Sequence, residues 1–391
     1  MPQEAEQPRG RRRGFYRSLA AACWMLAAGM LSMVTTALAS GSAPEADPTC
    51  RPIPETDEQL CALEIPAMGT LFRIRWIDTP SEHATRADAL EQLAPVLLED
   101  IEQALSDYRA HSEARQLPGQ LWTHGAVRPS PWFIRTYRES LRWHAATEGR
   151  FDVTVGQATR LWRYHARRGS LPSEADLEAA CQTIGMDRFV LEGDSLRLDR
   201  SARPIAPHDL VTGRPTEGTV RALPDPPGAG VALATEQPHT AATTVTLPTF
   251  DFGGIGKGVA ADALAERMRA MGIARGIVDA GGDVLAWGAG PPEPGAAPST
   301  PRGWMITLAN GRVDALVDGA VATSGPTFRS VTVDGTTYSH IFDPITCQPS
   351  TQPIGVSVWA RDATSADAMA TAITLGWTPP AAVKTHFYTN P

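Results

Sequence analysis

Six residues, Gly253-Gly254-Ile255-Gly256-Lys257-Gly258, constrain this chain more than any other stretch, because they fall where an extended run gives way to a helix. Residues 245–252 are β-branched and aromatic and read as a strand. Beyond the glycines, Val259, Ala260, Ala263, Leu264, Met268 and Met271 recur at helical spacing, with Asp262, Glu266 and Arg269 on the opposite face. Gly272 stands where a left-handed cap would close that helix, and residues 277–280 and 284–287 resume strand character on either side of Gly281-Gly282. Glycines at a strand-to-helix junction let backbone N–H groups approach an anion, and the helix dipole favours negative charge there. Lys257 adds a point charge suited to a phosphate. The spacing is not that of a dinucleotide-binding loop, and Gly258 stands where a Walker loop needs Ser or Thr. A glycine-rich turn between packed elements is the plainer reading of the same residues.

The chain has 391 residues, 42% hydrophobic and 20% charged, with net charge −8. That fits one large globular domain or two small ones, and the acidic balance, with no basic stripe past the N-terminus, excludes a nucleic-acid partner. Arg9, Arg11, Arg12 and Arg13 precede an uncharged apolar segment, 19–39, which ends in Ala37-Leu38-Ala39 before Ser40. Residues 1–39 therefore read as an export signal with a small-residue cleavage site. Arg12-Arg13-Gly14-Phe15-Tyr16-Arg17 is similar to a twin-arginine signal, while the apolar segment is also long enough for an uncleaved anchor. Either way the rest is expected on the exported side, in the periplasm. Residues 40–60 read as a polar, proline-bearing linker and 61–391 as the folded domain. Cys50, Cys61, Cys181 and Cys347 make no C-x-x-C pair, so zinc and dithiol chemistry are not expected. Cys50 and Cys61 are near enough in the chain for a disulfide in an oxidising compartment, which spacing alone leaves open.

Residues 63–78 alternate as a strand after a turn, and 84–105 have the apolar spacing of a long amphipathic helix that ends in Leu105-Ser106-Asp107-Tyr108-Arg109. Tyr108 reads either as a half-buried aromatic or as a face for a ring ligand. A helix over 131–147 leads to Gly149-Arg150-Phe151-Asp152-Val153-Thr154-Val155-Gly156, where Asp152 is either a local cap or an acceptor for a polar ligand edge. Ser173 caps a helix reaching 184, and 189–198 form a hairpin around Glu192-Gly193-Asp194. Residues 203–247, dense in Pro, Gly and Thr, read as a long surface loop, an insertion by the resemblance given below. A strand over 304–308, then AVATSG at 320–325 and Tyr338-Ser339-His340-Ile341-Phe342-Asp343-Pro344, precede the last helix. There Asp367 and Thr371 lie four apart, on one side, as hard oxygen ligands suited to magnesium. Thr364-x-x-Asp367 is also a capping box, the commoner reading of these residues taken alone.

Taken in this order, from Met68 to Thr371, these motifs resemble those of the ApbE family, the FAD:protein FMN transferases. The resemblance implies an α+β fold: a T-fold-like single catalytic domain with mixed sheets and flanking helices. It implies FAD contacts at Met68, Tyr108, Arg150, Phe151, Asp152, Asp251, Lys257 and Phe342. It implies magnesium (Mg2+) held by Asp367, Thr371 and the Gly254 backbone carbonyl, with Ala370 where many relatives carry a second Asp. His340 and Asp343 are the candidates, unranked, to orient or deprotonate an acceptor hydroxyl. The implied reaction moves FMN from FAD to a Thr or Ser of a target flavoprotein, of respiratory or electron-transfer type, and releases AMP. Membrane contact would run through the N-terminal segment or a membrane-bound target. Thr346-Cys347 stands where the family has a T-G turn, a strained choice if that position needs positive φ. An FAD-binding protein without transferase activity and a metal-dependent FAD pyrophosphatase are the alternatives.

Overall fold

Strand alternation organises the chain around one sheet. The computed structural model describes residues 49–199, 247–292, 303–325, 330–333 and 335–389. Its eight central strands are β1 (Thr49–Pro52), β2 (Gln59–Ala67), β3 (Thr70–Asp78), β4 (Arg275–Ala280), β5 (Val284–Trp287), β6 (Gly319–Ser324), β7 (Ile354–Ala360) and β8 (Thr385–Thr389), side by side in chain order. Every ladder in this sheet is antiparallel. The α+β class with flanking helices stands. The parallel component of the expected mixed sheets shrinks, among the described residues, to one bridge between Val155 and Thr249.

On β3, Phe72, Ile74 and Trp76 are fully buried while Arg73 and Arg75 between them are exposed, the alternation of a sheet with a core on one face. Helices cover that face: α1 (His83–Leu105) over β2, α6 (Gly256–Ala270) over β4 and β5, and α7 (Ala363–Thr374) over β6 and β7. Between β3 and β4 the chain also makes α2 (Glu113–His124), α3 (Pro131–Ala146), α4 (Gly156–Ala166) and α5 (Glu174–Cys181), with α3 packed on α1 and α7. The opposite face is closed in part by a hairpin, Trp304–Thr307 with Val313–Leu316, which buries Trp304, Ile306 and Leu316 against Ile77, Ile277 and Val321.

Three readings change. Part of the expected 40–60 linker is strand: Thr49 to Pro52 pairs with the start of β2, and Cys50 faces Cys61 across that pair and is disulfide-bonded to it. This segment carries little apolar pattern of its own; its partner strand orders it. The expected strand at 245–252 is reduced, among its described residues, to the Thr249 bridge, and Phe250 and Phe252 are instead core residues against Phe133. The helix capped by Ser173 ends at Cys181, which is disulfide-bonded to Cys347. The signal at 1–39 and residues 203–246 of the insertion lie outside the described residues. Among the described residues no helix is long and apolar enough to cross a membrane.

Candidate functional site

The glycine loop opens α6, and α7 runs antiparallel across it. Three α6-side positions, each four residues apart, meet α7 in reverse order. A Cβ on Gly254 would come within 2.7 Å of Thr371 Oγ1, and one on Gly258 within 2.4 Å of the Ala363 carbonyl oxygen. Asp262 accepts from the Ala363 and Thr364 N–H groups at 2.8 and 2.9 Å. Only glycine permits the first two approaches. Asp262, expected on a polar face, is 8% exposed, because the first half of α6 is buried all round. The capping box at Thr364 is not formed: the N-cap of α7 is Asp362, which accepts from the Ser365 N–H at 2.6 Å. Asp367 is thus released from helix capping and faces the other helix, its Oδ2 accepting from the Gly258 N–H at 3.2 Å.

Buried charge at this crossing does not balance. Lys257 forms an ion pair with Asp283, whose side chain is 2% exposed, and Asp283 Oδ1 also accepts from the Thr323 N–H at 3.4 Å. Two buried carboxylates therefore share one ammonium. Burial first, then the neighbouring Asp283, push the Asp367 carboxyl up to about 7, against the pull of Lys257 and the Gly258 N–H. A hard divalent cation would offset that excess. The donors at hand, the Asp367 carboxylate, the Thr371 hydroxyl and the Gly254 backbone, are oxygens of the kind magnesium takes. Among the described residues no three His, Cys, Asp or Glu gather as a metal-binding group. The arrangement suits an ion that keeps waters and leans on a substrate's phosphates rather than one caged by protein. Ala370 adds no side-chain donor, and its carbonyl accepts from the Thr374 hydroxyl at 2.9 Å.

The start of the loop is anchored differently. Asp251 Oδ1 accepts from the Gly253 N–H and Oδ2 from the Thr159 hydroxyl of α4, both at 2.8 Å. Nearby Asp107 is ion-paired with Arg163, and Arg115 donates to the Asp107 carbonyl at 3.1 Å. Burial and Asp251 raise the Asp107 carboxyl; burial and Arg115 bring Arg160 down to about 10. The Arg163 guanidinium lies 4.4 Å over the ring of Tyr108, which is 44% exposed, a cation–π contact. Met68 sits in the β2–β3 turn at φ 50 before Gly69 at φ 70, the left-handed pair of a two-residue hairpin turn. Its N–H donates to Glu102 at 2.9 Å, and its Cε would lie 3.5 Å from a Cβ on Gly256, so the turn abuts the start of α6.

The remaining expected residues divide. Arg150 donates to the Leu375 carbonyl at 2.8 Å, at the end of α7. Phe151 is buried, and Asp152, 9% exposed, accepts from the Thr154 N–H and hydroxyl at 2.7 and 2.5 Å, the local-cap reading. Phe342 is packed in a core cluster with Val155, Ala158 and Leu161. Asp343 accepts from the Ile345 and Thr346 N–H groups at 2.8 and 3.4 Å and so closes its own turn, while His340 is exposed. Cys347 takes the positive φ, 56, on that turn. The structure brings Gly254, Lys257, Asp367 and Thr371 together, and draws Asp251 and Tyr108 to α4. Asp343 opens a turn of its own, and His340 lies at an exposed bend before it.

Asp283, Asp262 and Arg163 were not among the site residues expected from the sequence. Asp283 had a signal, a charged residue after two glycines at the head of an apolar strand. Asp262 had one too, an Asp among alanines.

Residues 68–378 match the ApbE family, and the chain belongs to it. It is similar to the FAD:protein FMN transferase of Vibrio cholerae, 26% identical over 319 residues that cover 79% of each chain. The Salmonella typhimurium protein of that name is 27% identical over 337 residues, 81% of this chain and 80% of the relative. Among solved structures, the fold is that of the flavin transferase ApbE from Vibrio cholerae (TM-score 0.57, 23% identity, 81% of this chain and 87% of that one). The apo form of the Pseudomonas stutzeri flavinyl transferase ApbE superposes with TM-score 0.61 at 20% identity, over 82% of this chain and 86% of that one.

Proposed function

We propose that this chain transfers FMN from FAD to a Thr or Ser hydroxyl of a target flavoprotein, dependent on magnesium and with AMP as the leaving group. One observation carries the reading: Asp283 and Asp367, both buried, share Lys257 at the N-terminus of α6. The names of the curated relatives support it. Magnesium, when bound, neutralises pyrophosphate charge and makes AMP a better leaving group. Asp367, Thr371 and the Gly254 carbonyl are the groups to hold it. Lys257, at the start of α6, binds phosphate oxygens as a point charge. Tyr108 with Arg163 offers a half-exposed face for a ring. The acceptor oxygen attacks the FMN phosphorus, the bond to AMP breaks, and the hydroxyl proton passes to His340. Asp343 is the weaker candidate because its carboxylate is engaged in its turn.

Export follows as part of the same reading. A twin-arginine-type signal at 1–39 would deliver the chain to the periplasm, with its mature start near Ser40, and two disulfides suit an oxidising compartment. The acceptor would then be an exported electron-transfer flavoprotein, with membrane contact through the N-terminal segment or a membrane-bound target. The test is incubation with FAD, magnesium and such an acceptor. Flavin covalently bound to the acceptor supports the proposal. Free FMN with an unlabelled acceptor marks a pyrophosphatase, and unchanged FAD a binding protein.

A further inference from the structure

The helices that carry the site are fastened by more carboxylate than helix capping requires. α7 has its own N-cap, Asp362, whose side chain accepts from the Ser365 N–H at 2.6 Å and whose carbonyl accepts from the Ala366 N–H at 3.2 Å. The two N–H groups left over, of Ala363 and Thr364, donate to Asp262 on α6 at 2.8 and 2.9 Å, and the Thr364 hydroxyl donates to it at 2.5 Å. Asp262 is 8% exposed among the buried Ala260, Ala261 and Ala263, so its charge is held out of water for this contact. One turn earlier, at Gly258, the helices meet with a backbone clearance that no side chain could enter. One turn earlier again, Gly254 faces Thr371. Together these contacts fix how far along α6 the second helix lies, as well as that it lies there.

We infer that Asp262 is a positioning residue for the cation site. By clamping the first turn of α7 it sets the register that brings Asp367 and Thr371 opposite the Gly254 backbone. The inference rests on the proposed role of those two residues as cation ligands. The Asp262 hydrogen bonds go to Ala363 and Thr364 of α7, and its charge also bears on the Asp367 carboxyl, which Asp262→Asn separates from the clamp by removing the charge and keeping an acceptor oxygen. A slip of one residue turns α7 by about 100° at 3.6 residues per turn, which would carry both ligands away together. Loss of an ordinary cap would fray the first turn and leave the middle of the helix in place.

Manganese binding to the full chain, followed by calorimetry or electron paramagnetic resonance, reads the register without needing activity. Asp262→Ala is expected to weaken manganese binding about tenfold or more, the range for losing a group that orients a metal ligand, with FAD affinity in the absence of metal within about twofold. The magnesium concentration for half-maximal transfer should rise in step. Asp362→Ala, the capping control, should lower the thermal midpoint comparably and leave manganese affinity near that of the unaltered chain. Asp262→Asn keeps one acceptor oxygen and should fall between; it decides the matter if Asp262→Ala does not fold. Unchanged manganese affinity in the Asp262 variants overturns the inference. So does an equal loss in Asp362→Ala. If the unaltered chain binds manganese yet transfers no flavin, the functional proposal fails while the manganese comparison still stands. A chain that binds no manganese removes the cation site and this inference with it.

Discussion

Two buried charge clusters flank the glycine loop, and they are unbalanced in opposite directions. At the Lys257 end, Asp283 and Asp367 share one ammonium. At the Asp251 end, Arg115, Arg160 and Arg163 gather around Asp107 and Asp251. Burial acts on both, and always against charge: it pushes Asp367 up to about 7 and brings Arg160 down to about 10. The excess charge left over decides what each end can hold. A cation relieves the first, and the phosphates it neutralises can then approach Lys257; an anionic group relieves the second.

The largest effect should follow from removing the excess at the carboxylate end. Asp367→Asn keeps an oxygen for the Gly258 N–H and leaves Lys257 and Asp283 matched one to one. FMN transfer should fall on the order of 10²–10³-fold, the several kcal/mol a metal supplies, with partial rescue at raised magnesium. The thermal midpoint should not fall, since the substitution discharges a carboxylate that burial already disfavours. A normal transfer rate with unchanged magnesium dependence would break the comparison at its stronger end. Lys257→Ala works in the opposite sense and leaves two buried carboxylates with no ammonium between them. Breaking a buried pair costs about 3–5 kcal/mol, and the lower end applies because the lysine side chain is 30% exposed. Calorimetric unfolding with and without magnesium is the check: the loss should shrink when the ion is present. A Lys257→Ala protein of unaltered stability, but with weakened FAD affinity, would mean that the lysine serves phosphate alone.

That second expectation shows where the sequence sufficed and where it did not. The glycine loop, the helix after it, the Gly272 stop and the strands at 277–280 and 284–287 were legible, because each depends on neighbours within a few residues. Gly272 does take φ 83. The pairing of Lys257 with Asp283 was not, since it joins residues 26 apart through the packing of α6 on β4 and β5. Asp262 was misplaced for a related reason. A polar residue in a helical pattern reads as surface until it is known that the helix is covered on every side. Asp367 was ambiguous between cap and ligand, and the observation that Asp362 does the capping removes the first of those readings. The strand Thr49–Pro52 was hidden in a linker because a partner strand, rather than its own composition, makes it extended.

The arginine end offers a middle-sized effect. Arg163→Ala removes the cation over Tyr108 and the partner of buried Asp107. FAD binding should weaken by about 1–2 kcal/mol, as for a partly desolvated cation–π contact, while the magnesium dependence of transfer stays as it was. Fluorescence titration of FAD against the variant checks this. A shift in magnesium dependence instead would show that the two clusters are coupled through the loop, and that the contrast between its ends is one of degree.

The smallest effect tests the neutral ligand. Thr371→Val replaces a hydroxyl by a methyl group of nearly the same size, beside Gly254, where shape matters most because a Cβ there would lie 2.7 Å from Thr371 Oγ1. Packing is therefore kept, and only a lone-pair donor is lost. The half-saturating magnesium concentration should rise about three- to tenfold, equivalent to the ~0.5–1.5 kcal/mol of one neutral polar contact, with transfer at saturating magnesium, FAD affinity and thermal midpoint near normal. Thr371→Ser, which keeps the hydroxyl and gives up the methyl, should reverse that pattern: near-normal magnesium dependence with a slightly lower midpoint. If both variants instead lose stability and neither alters the magnesium response, Thr371 is a packing residue for the Gly254 approach. The carboxylate cluster would then have to hold its cation with Asp367 as the one ligating side chain of those proposed. If Thr371→Val is as damaging as Asp367→Asn, the hydroxyl is doing more than lending a lone pair, and the charge imbalance at this end of the loop would no longer be enough to explain the site.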